Sequence, residues 1–294
     1  VPVDSDSSGT ISETESIGIS QTGALTVLGT SSFTTSADGA DINLDNTSNN
    51  LDGTVHFVTN DNSDGDGYTG NVTLAHSDAI EIGTVNSVTS SIKGNLKIDT
   101  SNDSASINDN GSIKVYGTTD LTLTGGNSFL NWNGNRHDLD GLVTASAHHV
   151  KINTSDDFYG TITARRGQII IDSQGEITQD GPWVAVSDTS VTANNGSTYY
   201  DITLENPSNS FGGWHSSQAA TSTYVQYDNT SDGSDDIEII GKDVSVASNH
   251  SLNIGVSTVT GNLTLTSGAA AGASDTGITE TATVEVGENF SATT

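Results

Sequence analysis

The sequence of 294 residues contains no cysteine, no methionine and only three prolines. Without cysteine there is no disulfide framework, no thiolate metal site and no thiol nucleophile. So little proline rules out a polyproline linker. Basic residues are scarce as well: 8 Lys and Arg stand against 37 Asp and Glu, for a formal net charge of −29. Nucleic-acid binding needs cations to neutralise phosphate, so no nucleic-acid partner is expected. An anionic membrane surface is disfavoured for the same reason. No apolar run approaches the roughly 20 residues that span a bilayer, so no membrane span is expected. Hydrophobic residues make up 32% and aromatic residues 5%, little for a domain built around one thick core. No signal peptide is visible, and the chain opens at Val1 rather than Met, which suits processing or excision from a longer chain.

What the chain does have is an imperfect internal repeat. Ile19-Ser20-Gln21-Thr22-Gly23-Ala24-Leu25-Thr26-Val27 can be laid over Ile107-Asn108-Asp109-Asn110-Gly111-Ser112-Ile113-Lys114-Val115. Both lie over Ile177-Thr178-Gln179-Asp180-Gly181-Pro182-Trp183-Val184-Ala185, and a further copy opens at Ile278. The match runs on. Gly29 falls on Gly117, and Leu51-Asp52-Gly53 on Leu139-Asp140-Gly141. Ile42-Asn43-Leu44, Asn46 and Asn49 fall on Ile202-Thr203-Leu204, Asn206 and Asn209. Gly94-Asn95-Leu96-Lys97-Ile98 resembles Gly261-Asn262-Leu263-Thr264-Leu265. Self-similarity of this kind marks a solenoid or an array.

The local pattern is β throughout. Ile42-x-Leu44, Val72-x-Leu74, Leu96-x-Ile98, Ile113-x-Val115, Leu121-x-Leu123 and Leu263-x-Leu265 alternate apolar and polar residues, which predicts short strands with one buried face. Ile169-Ile170-Ile171 reads as a strand buried on both faces. Gly, Asn, Asp and Ser clusters between the runs favour turns. No segment carries helical periodicity of useful length. Two all-β architectures compete, a string of sandwich domains and a parallel β-helix. Very short strands, uneven spacing and Asn/Ser/Thr-rich corners favour the β-helix, which also tolerates a thin core because each coil adds few inward side chains.

The motifs at residues 19–34, 42–46 and 51–55 are similar to the repeats of large secreted bacterial adhesins, of the filamentous-haemagglutinin and autotransporter-passenger kind. That resemblance covers most of the chain. It implies an all-β, right-handed parallel β-helix (solenoid) with imperfect repeats and no significant helix. It also implies an extracellular, cell-surface setting and a structural role in a filament or adhesin. It carries over no functional residue, because the matching positions are structural.

The expected organisation is one continuous β-solenoid over 1–294. Residues 1–18 end a preceding unit, 19–106, 107–176 and 177–277 form three repeats, and 278–294 open an incomplete fourth. Both ends are then uncapped, and open strand edges recruit partners. The expected partner is therefore the protein itself, as a head-to-tail homopolymer or the continuation of a longer chain, with host or surface glycans as a second class.

Asn62, Asp64 and Asp66 form an N-x-D-x-D-G turn, and Asp228 and Asp232 a D-x-T-x-D-G turn. Alternating oxygen ligands ending in a turn-making Gly suit calcium (Ca2+). The bidentate Glu of a full calcium loop is missing, with Thr73 and Ile239 at its place, and a solvated acidic turn is the competing reading. No enzyme is expected: carboxylate pairs such as Asp138/Asp140 and Asp156/Asp157 come cheaply in this composition, and no Ser-His-Asp set or phosphate loop is present. His148-His149 and Arg136-His137 read as surface residues. Trp132, Trp183 and Trp214 suit either sugar stacking or packing over a solenoid face. The alternative function is a glycan-binding or polysaccharide-cleaving β-helix.

Overall fold

The computed structural model describes residues 18–61, 70–211, 236–268 and 277–294. The chain is an all-β parallel solenoid, with no helix among the described residues. It divides into two compact units, Val1–Ala145 and Ser146–Thr294.

In the first unit, one sheet stacks Ile19–Ser20, Ile42–Leu44, Val72–His76, Leu96–Thr100 and Thr119–Leu123 in chain order. The pairing is parallel and in register: Ile19 lies on Ile42, Ile42 on Val72, Val72 on Leu96, and Leu96 on Thr119. Each step is one coil of the solenoid. A second sheet holds the return strands. Ile80–Gly83 pairs with Ser106–Asn110, and Ser90–Ile92 with Ile113–Val115. The long strand Phe129–Leu139 covers both positions. A smaller ladder joins Thr26–Val27 to Asn50–Leu51.

The second unit follows the same plan. Ile177–Gln179, Ile202–Leu204, Val244–Ser248, Leu263–Ser267 and Phe290–Thr293 stack in one sheet. His149–Thr154, Ile169–Ser173, Thr189–Ala193 and Ile237–Gly241 stack in the other.

Alternation decides which side chains enter the core. Ile42, Leu44, Leu74, Leu96 and Ile98 are buried, as are Ile152, Ile171, Val191 and Ile239 on successive coils. Burying each such side chain is worth about 1.5–3 kcal/mol. The triple isoleucine departs from expectation: Ile169 and Ile171 are buried but Ile170 is only half-buried. The strand has one inner face, so its middle residue points outward.

Polar groups hold the corners. The residue just before each first-sheet strand reaches one coil along. Asn71 donates its backbone N–H to Asp41 Oδ1 at 2.6 Å, Asn95 to Asn71 Oδ1 at 2.8 Å, and Thr118 to Asn95 Oδ1 at 2.7 Å. The second unit builds the same ladder: Asn262 N–H donates to Asp243 Oδ1 at 2.8 Å, and Asn289 Nδ2 to Asn262 Oδ1 at 2.8 Å. This is why Gly94-Asn95-Leu96 and Gly261-Asn262-Leu263 resemble one another. The backbone hydrogen bond from Asn262, then Lys242 beside it, holds the Asp243 carboxyl down at about 2. That contribution is present above the ordinary value of 3.8 and is lost as pH falls through about 2.

A deeper corner explains the other long-range match. Buried Asn49 donates from Nδ2 to Leu44 O at 3.1 Å, Ala75 O at 3.0 Å and Gln21 Oε1 at 2.9 Å. Its Oδ1 accepts from Leu25 N at 2.9 Å and Gln21 Nε2 at 2.8 Å. Asn209 repeats this with Leu204 O at 3.0 Å, Ala247 O at 3.1 Å, Gln179 Oε1 at 3.0 Å and Trp183 N at 2.8 Å. Thr26–Val27 pairs with Asn50–Leu51, as Val184–Ala185 pairs with Ser210–Phe211. Ile19 and Ile177 are thus equivalent, strand for strand.

The copy at Ile107 is equivalent in a different way. Lys114 lies on Asp138 and Val115 on Leu139, as Thr26 lies on Asn50 and Val27 on Leu51. The flanking strands belong to exchanged sheets, so the shared pattern sits on another side of the coil. Its glycines are needed for close approach. A Cβ on Gly53 would lie 2.5 Å from Gly29 C, and one on Gly141 2.4 Å from Gly117 O.

Two outcomes follow from this packing. Replacing Asn209 by Ala strands two carbonyls and an amide in the core, at about 1–3 kcal/mol for each group left unpaired. Chemical denaturation should show a loss of at least about 3 kcal/mol for Asn209→Ala. Asn206→Ala, which removes only the exposed bond from Ser208 N, should cost about 1 kcal/mol or less. Separately, Asn86 (φ 52°) and Ser87 (φ 66°) form a two-residue turn between Val85 and Val88 in left-handed backbone. A non-glycine residue there costs about 1 kcal/mol, so Ser87→Gly should raise the melting temperature.

Candidate functional site

The densest set of chemical groups among the described residues surrounds the strand Phe129–Leu139. Three features that the sequence offers separately meet there: Trp132, Arg136-His137 and Asp138/Asp140. The length of the strand explains the meeting, because it spans two strand positions of the previous coil.

Inside the coil, Trp132 is fully buried and its ring packs 5.0 Å from that of His137. His137 is itself fully buried and lies 3.6 Å from Asp109, Nε2 to Oδ2. Asp109 accepts hydrogen bonds from Gly134 N at 3.2 Å, Asn135 N at 2.6 Å and Asn135 Nδ2 at 2.9 Å. The carboxylate is thus clasped by the bend of the strand above it. Ile113 N donates to His137 Nδ1 at 3.3 Å. Burial pushes the His137 imidazole down to about 4, against the opposing pull of Asp109 and of a hydrogen bond with the Trp132 backbone.

Outside, the same strand carries charge. Register places Ser91, Lys114 and Asp138 on successive coils. Lys114 Nζ is hydrogen-bonded to Asp138 and lies 3.5 Å from Asp140. Tyr116 stands 41% exposed with Lys93 Nζ 3.8 Å and Lys114 Nζ 4.4 Å from its ring centre. Burial alone would lower the Lys114 ammonium, but the Asp138 hydrogen bond and the two carboxylate charges outweigh it and the net shift is upward. Burial, then the hydrogen bond from Asp138, raises the Asp140 carboxyl, and Lys114 opposes this.

These groups satisfy one another. Hydrolysis of a glycosidic bond needs two carboxyls flanking the sugar, about 5 Å apart or more. Here Asp138 and Asp140 are hydrogen-bonded together and share one lysine, which leaves no room for a sugar between them. Asp156 and Asp157 are likewise occupied: their side chains accept from Asp157 N at 2.9 Å and Glu176 N at 2.7 Å.

Other expected surface residues are not on the surface. His148 and His149 are 6% and 8% exposed, with rings stacked at 4.5 Å. Strict alternation would set them on opposite faces, but His148 occupies a bend before the strand that begins at His149, so alternation does not apply to it. Burial, then the charges of His148 and Lys151, pushes His149 down to about 4. Trp183 is in the core, edge-on to Phe158 at 5.9 Å, and donates from Nε1 to Gly160 O at 2.9 Å. Trp132 and Trp183 therefore do not stack on sugar. Trp214 lies outside the described residues, as do all five calcium candidates, Asn62, Asp64, Asp66, Asp228 and Asp232. Among the described residues no group of three or more His, Asp or Glu side chains could hold a metal ion.

A cavity of about 340 Å3 opens against the coil that closes with Phe290–Thr293. Ile254, Leu263, Ile278, Val284, Val286 and Phe290 line it, and Phe290 is 59% exposed. Thr279 and Glu280 add polar surface to it, and Val286 and Phe290 stand in register with Val259 and Leu263, which are buried one coil back.

The charge cluster can be checked by titration. Lys114→Met removes the cation that holds Asp140 down, so carboxyl-carbon NMR should find the Asp140 pKa raised further. Stability should change by only about 0–1 kcal/mol, the usual worth of part-exposed ion pairs.

Residues 3–58, 69–146 and 147–218 match a family of repeats. No curated protein and no solved structure matches the chain. With well over half of its length matched, the chain belongs to the family described as repeats of unknown function (DUF5649).

Proposed function

We propose that this chain is a structural, non-enzymatic β-solenoid segment of an extracellular, cell-surface filament or adhesin. The observation that carries the reading is how the polar groups are used. Interior amides, imidazoles and hydroxyls bond from coil to coil, as at Asn49 and Asn209. The exposed acids and bases around Lys114 neutralise one another rather than line a cleft. Lys97 with Asp99 at 3.3 Å and Lys242 with Asp243 at 3.0 Å continue that habit. A stiff stack of coils makes use of such an arrangement, whereas a catalyst needs groups held ready for a substrate.

In this reading another coil, from the same chain or from a second copy, covers the apolar residues around Phe290. Parallel strands with open edges accept such an addition through main-chain hydrogen bonds. The charge of −29 opposes contact between copies, so salt or calcium favours it by screening. Calcium at Asn62, Asp64, Asp66, Asp228 and Asp232 belongs to the reading on sequence grounds alone. One observation favours a second reading, glycan binding: Tyr116 presents an exposed ring beside Lys93 and Lys114.

Electron microscopy of the protein in calcium-containing buffer tests the proposal. Long uniform filaments that shorten or vanish in Phe290→Ser are the expected result. Isolated particles at every salt and calcium concentration, together with cleavage of a polysaccharide, would sink it. Retention on immobilised glycans that Tyr116→Ala abolishes would move weight to the second reading.

A further inference from the structure

Three buried imidazoles accept a main-chain N–H from another coil. Leu51 N donates to His76 Nε2 at 2.8 Å, Ile113 N to His137 Nδ1 at 3.3 Å, and Gln168 N to His149 Nδ1 at 3.3 Å. In sequence these pairs are 25, 24 and 19 residues apart. Each bridges one coil to a neighbouring one. A neutral imidazole has one nitrogen that accepts; an imidazolium has none, because both nitrogens then donate. We propose that His137 and His149 are acid-sensitive clasps, each holding its coil contact only while the imidazole is neutral, so that mild acid loosens the stack at these points.

The surroundings bear on the direction. Around His137 stand Asp109 at 3.6 Å, Trp132, and the flanking charges Arg136 and Asp138 with its partner Lys114. Asp109 would welcome a proton on the ring, yet burial outweighs it. Around His149 stand the stacked His148, Lys151 on its own strand, and Arg165 and Arg166 just before Gly167, against which the ring lies. Lys151, Arg165 and Arg166 are fixed cations, and the Lys151 charge opposes a charge on the ring.

The sign follows from linkage. His137 and His149 titrate near 4 in the fold and at 6.5 when released. The released state therefore binds more protons between those values, and stability falls as pH drops through that window. Above 6.5 neither histidine contributes a pH dependence. The Asp243 ladder weakens only below 3.8, so the two effects are separable. At pH 5 each of these two clasps should open about thirty-fold more often than at pH 7.5.

Amide hydrogen exchange, corrected for the intrinsic effect of pH on exchange, reads this directly. Protection of Ile113 and Gln168 should drop about thirty-fold between pH 7.5 and 5. Leu96 and Ile202 donate to backbone carbonyls, Thr118 O and Asp243 O, and serve as controls that should change by less than about threefold. In His137→Gln the side-chain oxygen still accepts but does not titrate, so the pH dependence at Ile113 should flatten while Gln168 keeps its own. Equal behaviour of clasp and control amides in the native protein would overturn the inference, whether or not the variant folds.

Discussion

Everything in this fold depends on each coil returning to the register of the one before. Strand side chains alternate, so a slip of one residue would turn every core residue outward. The intervals between coils are uneven: Leu96 to Thr119 is a short return, Ile202 to Val244 a long one. Register must therefore be set locally, at the point where each strand starts. The Asp41–Asn71–Asn95–Thr118 ladder does this in the first unit and the Asp201–Asp243–Asn262–Asn289 ladder in the second. A side-chain oxygen one coil back catches the N–H immediately before the strand, or at Asn289 the side-chain amide, and in every case but Asn289 the next residue is then committed to the core. Loops between the corners can lengthen without cost to the register.

The same constraint accounts for a composition that looks too polar to fold. Only alternate residues of short strands face inward, and hydrogen-bonded side chains share that interior with the aliphatic stacks. Asn49 and Asn209 are fully buried yet almost saturated with partners, four or more each. A buried polar group is costly only when it is left unpaired. In a solenoid the neighbouring coil always offers carbonyls and amides at strand spacing, so polar residues can enter the core where a compact domain would need aliphatic ones.

Much of this was legible in the residue order. Alternation at Ile42-x-Leu44, Leu96-x-Ile98 and Ile113-x-Val115 predicts strands that the fold contains. The shared Asn46/Asn49 and Asn206/Asn209 pattern marks a true structural equivalence. What it hides is the role. Asparagine in a glycine-rich stretch reads as a turn residue at the surface, but Asn46 is half-buried and Asn49 fully buried. The recurring Gln21 and Gln179, at a fixed place in Ile-(Ser/Thr)-Gln-x-Gly, were the available signal that an amide partner is required. Histidine misleads similarly. His148 and His149 look like surface residues because periodicity cannot register a bend between strands. The acidic outer face around Lys114 was invisible for a different reason, since its members come from separate coils and meet only through register.

Comparing inner and outer positions across the repeat shows what the repeat preserves. Gln21 and Asn49 recur as Gln179 and Asn209, with the same donors and acceptors. The exposed cluster does not recur: Thr26 and Leu28 occupy the places matching Lys114 and Tyr116, and Val184 and Val186 occupy them at the third copy. Asp52 matches Asp140 but has no lysine at the position opposite. A repeat that existed to present one binding chemistry many times would hold its outward groups constant and let the interior drift within the limits of packing. Here the corner clamp is held between the first and third copies, with Asp109 and His137 in its place at the second, and the outward groups around Lys114 drift. What recurs between the first and third copies is a way of stacking coils, whereas the exposed cluster around Lys114 is particular to the second.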